Sequence, residues 1–145
     1  MDREIILETP EQARAFFAND RFAASAGMRI EEVSPRHAVI SLRLNETHRN
    51  AAGGVMGGVL FTMADFACAV AAHFGAETGA YVSADANIRF LNACSGDHLT
   101  AEADCVKNGG RLSFYEAAVR DDAGVLLAKA SFTMCRVGEP TKNIK

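Results

Sequence analysis

An aspartate stands in the middle of the most apolar stretch of this chain, GGVLFTMADFACAVAAHF, which runs from Gly57 to Phe74. A carboxylate there opposes burial, and it persists when something pairs with it or uses it. Asp65 is therefore the first candidate for chemistry as a general base or nucleophile. The plain alternative is an acid satisfied by a neighbour such as Thr62, one turn earlier. The second candidate is the pair Gly57-Gly58 that opens the same stretch. A helix start offers backbone N–H groups without intrahelical partners at the positive end of the dipole, so it can polarise a carbonyl or hold an oxyanion. Glycines let a reacting group come close to that backbone. The plain alternative is that Gly53, Gly54, Gly57 and Gly58 only make a turn. Asp65 lies eight residues beyond Gly57, which is about 12 Å along a helix axis. One chain cannot bring both to one reacting atom, so cooperation requires the helix start of one copy and the carboxylate of another.

The elements that must position these groups follow from apolar spacing. Residues Pro10 to Asn19 read as a short amphipathic helix, with proline in the first turn. Period-two alternation from Met28 to Leu44, broken at Ser34-Pro35, reads as a hairpin, and Asn45 to Gly58 as a loop. From Gly57 to about Phe74 the helix is apolar on every face, with Gly75 at its C-terminal cap. Four strands follow, Tyr81–Leu91, His98–Lys107, Arg111–Arg120 and Val125–Arg136, and read as an antiparallel meander. A helix apolar all round needs a sheet that curls around it, which makes the fold α+β. It would still have an open flank, and the first meander strand an exposed edge, so a dimer at least is expected.

At 145 residues the chain suits a single domain spanning residues 1–145. Its 15 Lys and Arg against 18 Asp and Glu, net charge -3, include no basic run and argue against nucleic acid. The first residues, MDREIILE, have no apolar targeting segment, and the longest apolar run is short for a bilayer and carries Asp65. No membrane segment and a cytoplasmic location are expected. Cys68, Cys94, Cys105 and Cys135 form no CxxC pair and read as reduced core thiols rather than metal ligands.

The segment NAAGGVMGGVLFTMADFACAVAAHF, from Asn50 to Phe74, resembles the signature of the hotdog-fold thioesterases of the phenylacetate-degradation (PaaI-like) branch. That pattern is an Asn, a glycine-bearing loop, a His-Gly-Gly, and an acid eight residues after the first of those glycines. The segments after it, from YVSADANIRF onward, are similar to the family's strands. The resemblance implies a hotdog fold, with a long central helix wrapped by a curved antiparallel sheet, and hydrolysis of an acyl-CoA thioester without a cofactor or metal. It implies that Asn50 helps hold the attacking water or the thioester, that the Gly57 N–H polarises the carbonyl, and that Asp65 is base or nucleophile. Ser83 falls where some members orient the water; the competing reading is a polar residue on an exposed strand face, sharing one parity with Asp85, Asn87 and Arg89. A dimer that carries the site, and a tetramer of two such dimers, are also implied.

Met56 departs from the pattern, standing where many members have the His of His-Gly-Gly. A thioether is at most a weak acceptor, so Met56 cannot replace a histidine hydrogen bond, while the Gly57 N–H is unaffected. The chain's histidines offer no substitute: His48 precedes the loop, His73 ends the helix, His37 and His98 begin strands, and solvated or capping roles suit them. Beside Met56 and Gly58, Phe61 is expected to line the acyl pocket, and Arg89, Lys107 and Arg111 are the candidates for the phosphates of CoA. The rival class is a non-catalytic acyl-CoA-binding sensor. A dehydratase of the same fold is disfavoured by the missing His.

Overall fold

The computed structural model describes residues 6–76 and 80–138. Helix α1 (Pro10–Phe17) starts with a capping box: the Gln12 N–H donates to Thr9 Oγ1 and the Thr9 N–H to Gln12 Oε1. It ends two residues short of the expected helix. A second helix not expected from the sequence, α2 (Arg21–Ala26), follows and is stopped by Gly27 at φ 91°. Strands β1 (Arg29–Ser34) and β2 (His37–Arg43) form the expected hairpin around the turn Pro35-Arg36. The loop after β2 holds a single 3-10 turn, Glu46–His48.

Helix α3 (Gly57–His73) is the central element. Phe74 closes it in extended conformation, and Gly75 turns the chain away at φ 68°. Strands β3 (Ala80–Phe90), β4 (His98–Asn108), β5 (Leu112–Asp121) and β6 (Leu126–Val137) lie within a residue of their expected bounds. One glycine is required by space at the β4–β5 turn: a Cβ on Gly109 would lie 2.1 Å from the Leu112 carbonyl oxygen.

The strands make one antiparallel sheet in the order β1-β2-β4-β5-β6-β3. Only the last three strands are a true meander. The first of the expected four leaves it and pairs with β6 at the far edge. Leu99, Ala101 and Ala103 of β4 and Tyr115, Ala117 and Val119 of β5 alternate inward against Met63, Ala64, Ala67 and Ala71 of α3. The helix touches all six strands, so the sheet wraps it, which is the α+β hotdog arrangement. Its one half-covered stripe, Phe61, Thr62, Asp65, Ala69 and His73, follows helical spacing on a single side. This is the open flank expected of a lone chain, and β3 borders it as a free edge. No described helix is long and apolar enough to cross a membrane.

Among the described residues the four cysteines are free, but only Cys68 is fully buried. Burial pushes its thiol up, and Asp65's charge adds to the rise. Cys94, Cys105 and Cys135 are half-buried rather than core residues.

Candidate active site

The open stripe of α3 carries Asp65, half-buried, and its hydrogen-bond partner is Ser83 of β3, whose hydroxyl donates to Asp65 Oδ1 at 2.7 Å. Thr62 is spent elsewhere, donating to the Gly58 carbonyl of its own helix. Ser83 reaches the acid because β3 carries a bulge between Ser83 and Asp85. Ser83 pairs with the inward Met134 and lies 3.6 Å from its sulfur, whereas Asp85, Asn87 and Arg89 pair with Thr133, Ser131 and Lys129 on the outer face. A bulge adds one residue and reverses the alternation, so Ser83 does not share a face with Asp85, Asn87 and Arg89, although it is exposed on this edge strand.

The other end of the helix holds a separate group. Met56 is the N-cap residue, 53% exposed, and gives no side-chain hydrogen bond to the first turn. Gly57 and Gly58 therefore present N–H groups that no described protein acceptor takes up. A Cβ on Gly57 would sit 3.2 and 3.3 Å from two ring atoms of Phe90, while one on Gly58 would meet nothing nearer than Met56 Cγ at 4.0 Å. Gly57 is thus the more closely packed of the two glycines, and Phe90, which spacing alone did not single out, is the aromatic beside it. Asn50 Oδ1 accepts from the N–H groups of Ala52 and Gly54, both at 3.0 Å, which shapes the loop and fixes the amide's orientation. Its amide nitrogen makes no described protein contact and is what remains to hold a ligand.

Within one chain the two groups do not meet, as the spacing required. Phe61 packs against Phe132 with ring centroids 5.6 Å apart and belongs partly to the core. Arg89 stands on the outer face, while Lys107 and Arg111 flank the β4–β5 turn, so the three expected phosphate ligands are not brought together.

The structure adds two groups near Asp65. Asp20, between α1 and α2, has its carboxyl raised by burial, opposed by His73 and reinforced by the Asp65 charge. His73 is not solvated: Nδ1–H donates to the Ala69 carbonyl at 2.7 Å and Nε2 accepts from the Tyr81 N–H at 3.0 Å. His48 is buried, its Nε2–H donating to the Ala26 carbonyl, and its Nδ1 accepts from the Asn45 N–H, the capping role expected of it. A cavity of about 540 Å³ lies between α1, α2 and β1, lined by Phe17, Met28, Ile30 and Phe66 together with Arg14, Arg29 and Glu31, and by none of the candidate site residues. Phe17 meets both Phe66 and His73 edge-on. On the outer face, His37, Glu102 and Asp104 place three donor atoms within 4.8 Å of one another, a set that could hold an ion but lies on the opposite side of the sheet from Asp65.

Burial lowers the His73 pKa below its ordinary 6.5, against the raising effects of the Ala69 hydrogen bond and Asp20. The unfolded chain then takes up a proton that the folded one refuses, so stability is lost as pH falls below about 6.5 towards the lowered folded value and is retained above it. We expect the melting temperature to drop between about pH 7 and 5.5, and the drop to shrink in His73→Gln. An equal slope in wild type and variant contradicts this assignment.

The sequence model of the Thioesterase superfamily matches residues 52–128, more than half of the chain and including Gly57, Asp65 and Ser83. The chain belongs to the thioesterase superfamily. This thioester hydrolase is 30% identical over 124 residues to an Archaeoglobus fulgidus protein that carries an esterase name, covering 85% of this chain and 79% of that one. It is 32% identical over 117 residues to a Deinococcus radiodurans protein named likewise, covering 79% of this chain and 78% of the relative. Among solved structures it is similar to the Escherichia coli PaaI protein of the phenylacetic acid degradation operon, with a TM-score of 0.79, 27% identity, and 88% of this chain and 92% of that chain covered. Fold and PaaI-like resemblance therefore agree with the reading of Asn50 to Phe74.

Proposed function

We propose that the chain hydrolyses acyl-CoA thioesters of small aromatic or short to medium acyl groups, at a site completed by a second copy. The observation that carries this reading is the pair formed by Asp65 and Ser83 on the one helix stripe that the sheet leaves open. The thioester carbonyl accepts from the Gly57 N–H of one copy, with the Asn50 amide nitrogen beside it. Asp65 of the other copy takes a proton from water, whose oxygen forms the new bond to the carbonyl carbon. The carbonyl electrons move to the oxygen at the Gly57 N–H, and collapse breaks the C–S bond. The products are the free acid and CoA thiol, with the proton from Asp65 returned to sulfur. Ser83 orients the carboxylate. A direct attack by Asp65 on the carbonyl uses the same geometry and differs in forming an anhydride that water then opens. No step requires a metal or cofactor.

Pairing of the free β3 edge with its copy would cover the open flank, and association of two such dimers gives the expected tetramer. The test is release of free CoA thiol from aromatic, short-chain and medium-chain acyl-CoAs. Turnover supports the reading, and tight binding of these esters without thiol release replaces it with the sensor. Ser83→Ala is expected to lower kcat about tenfold with little change in KM, since one hydroxyl hydrogen bond to the carboxylate is lost. An unchanged kcat would place Ser83 outside the mechanism.

A further inference from the structure

A second cavity, of about 290 Å³, lies at the far end of α3, lined by Arg36, Arg136, Tyr81, Tyr115, Asn108 and Phe74. Its polar lining is a set of donors. Neither arginine joins an ion pair among the described residues, and no described acid lines the cavity. Asn108 accepts from Ser113 through its oxygen, which leaves its amide nitrogen to donate. Tyr115 is 3% exposed and lines the cavity. Lys107 and Arg111 stand at the same end, on the β4–β5 turn, in a chain whose net charge is -3.

The backbone at Arg36 gives an independent reason to assign this cavity a ligand. Arg36 is the one non-glycine residue with positive φ among the described residues, at 64°. It is the second residue of the two-residue turn Pro35-Arg36 between the paired Ser34 and His37. Proline fixes the first position at negative φ, so the second takes the left-handed conformation for which glycine is the ordinary choice. The turn is pinned on both sides, the Arg36 N–H donating to the Ala71 carbonyl at 3.2 Å and the Cys105 N–H to the Arg36 carbonyl at 3.1 Å. A strained position filled by a long cationic side chain, where glycine would serve the turn better, points to use of that side chain.

Two guanidinium groups with flanking hydroxyl and amide donors complement a phosphate. The negative end of α3 opposes an anion here, but its last carbonyls are taken up: Val70, Ala71 and His73 accept from the N–H groups of Phe74, Arg36 and Ala76. Phe74 lies nine residues beyond Asp65, about 14 Å along the axis, a span that the pantetheine arm of CoA bridges.

We infer that this cavity holds the phosphate groups of a nucleotide, and, resting on the acyl-CoA reading above, that the nucleotide is the end of the substrate itself. The experiment uses Arg36→Gly and Arg136→Gln in the full chain. It compares KM for an acyl-CoA with KM for the same acyl group on phosphate-free pantetheine, and titrates adenosine 3′,5′-bisphosphate by calorimetry. Each variant should raise KM for the acyl-CoA about tenfold, the worth of one charge-assisted hydrogen bond. Kinetics on the pantetheine thioester should not change, and wild type should bind the bisphosphate several-fold more tightly than either variant. Arg36→Gly should melt no lower than wild type, because glycine relieves the turn.

Loss of bisphosphate affinity without a change in KM keeps the phosphate site and assigns it to a free nucleotide. Unchanged KM and unchanged bisphosphate affinity in both variants overturn the inference, as does absence of bisphosphate binding by wild type. Lower melting temperatures alone would then assign the arginines to the helix end. If wild type hydrolyses neither thioester, the acyl-CoA reading fails, and the titration still decides the cavity.

Discussion

Asp65→Asn is expected to lower kcat on acyl-CoA about 10³-fold, within the range that a positioned general base contributes, while KM moves by less than about twofold. The amide oxygen of asparagine can still accept from Ser83 Oγ, so the contact between α3 and the bulged edge strand is kept. The volume is also kept on a half-buried stripe, and the melting temperature should stay within about 2 °C, as for a change that creates no cavity and buries no charge. The kcat loss at preserved stability separates a reacting carboxylate from one that only ties the helix to β3. A variant that folds and retains more than about a third of wild-type kcat is incompatible with Asp65 as base or nucleophile.

Gly57→Ala should be the second large effect, for a reason that can be isolated. Alanine raises helix propensity by about 1 kcal/mol over glycine, so the helix start itself gains. The new methyl group meets the Phe90 ring at 3.2 and 3.3 Å, closer than ordinary contact, and either ring or helix start must give way. Movement of the helix start, rather than of the 56% exposed ring, displaces the N–H proposed to hold the oxyanion, and loss of one such donor costs about 10²- to 10³-fold in kcat. The double variant Gly57→Ala with Phe90→Ala restores the space and should recover at least about tenfold of the loss. A double variant as slow as the single one would show that the methyl group blocks the substrate rather than moving the backbone.

What could be read from residue order was whatever depends on local pattern. The all-apolar helix with an acid at its centre, the hairpin at Ser34-Pro35 and the bounds of the four later strands carry their own signals, and each was found. The position of β3 does not. The link from Leu91 to Asp97 is too long for a tight hairpin, so it is free to carry the next strand to the other side of the sheet, and no local rule says which side. The bulge after Ser83 is similarly silent: Ser83-Ala84-Asp85 contains no glycine, and unbroken alternation sends Ser83 to the wrong face.

Helix α2 went unread because six residues, RFAASA, are too few to show a period, although Gly27 marked its end. Its absence also hid what half-buries His73, since Phe17 of α1 packs on that end of α3 and Asp20 stands between the two short helices. The candidate site was legible as residues but not as distances. Asp65 and Gly57 could be named from type and spacing, whereas Phe90, Asp20 and the arginine-lined cavity depend on strands that meet only in the fold.

The most direct measurement is complementation between two inactive chains. Asp65→Asn and Gly57→Ala proteins, each purified and nearly inactive, are unfolded together, refolded and assayed for thiol release. If the site takes the Gly57 N–H from one copy and the carboxylate from another, mixed dimers carry one intact site and one doubly altered site. Random reassortment then restores about a quarter of wild-type activity at equal amounts of the two chains. Activity that stays at the level of the separate variants, with mixed dimers shown to form, would contradict a site shared between copies.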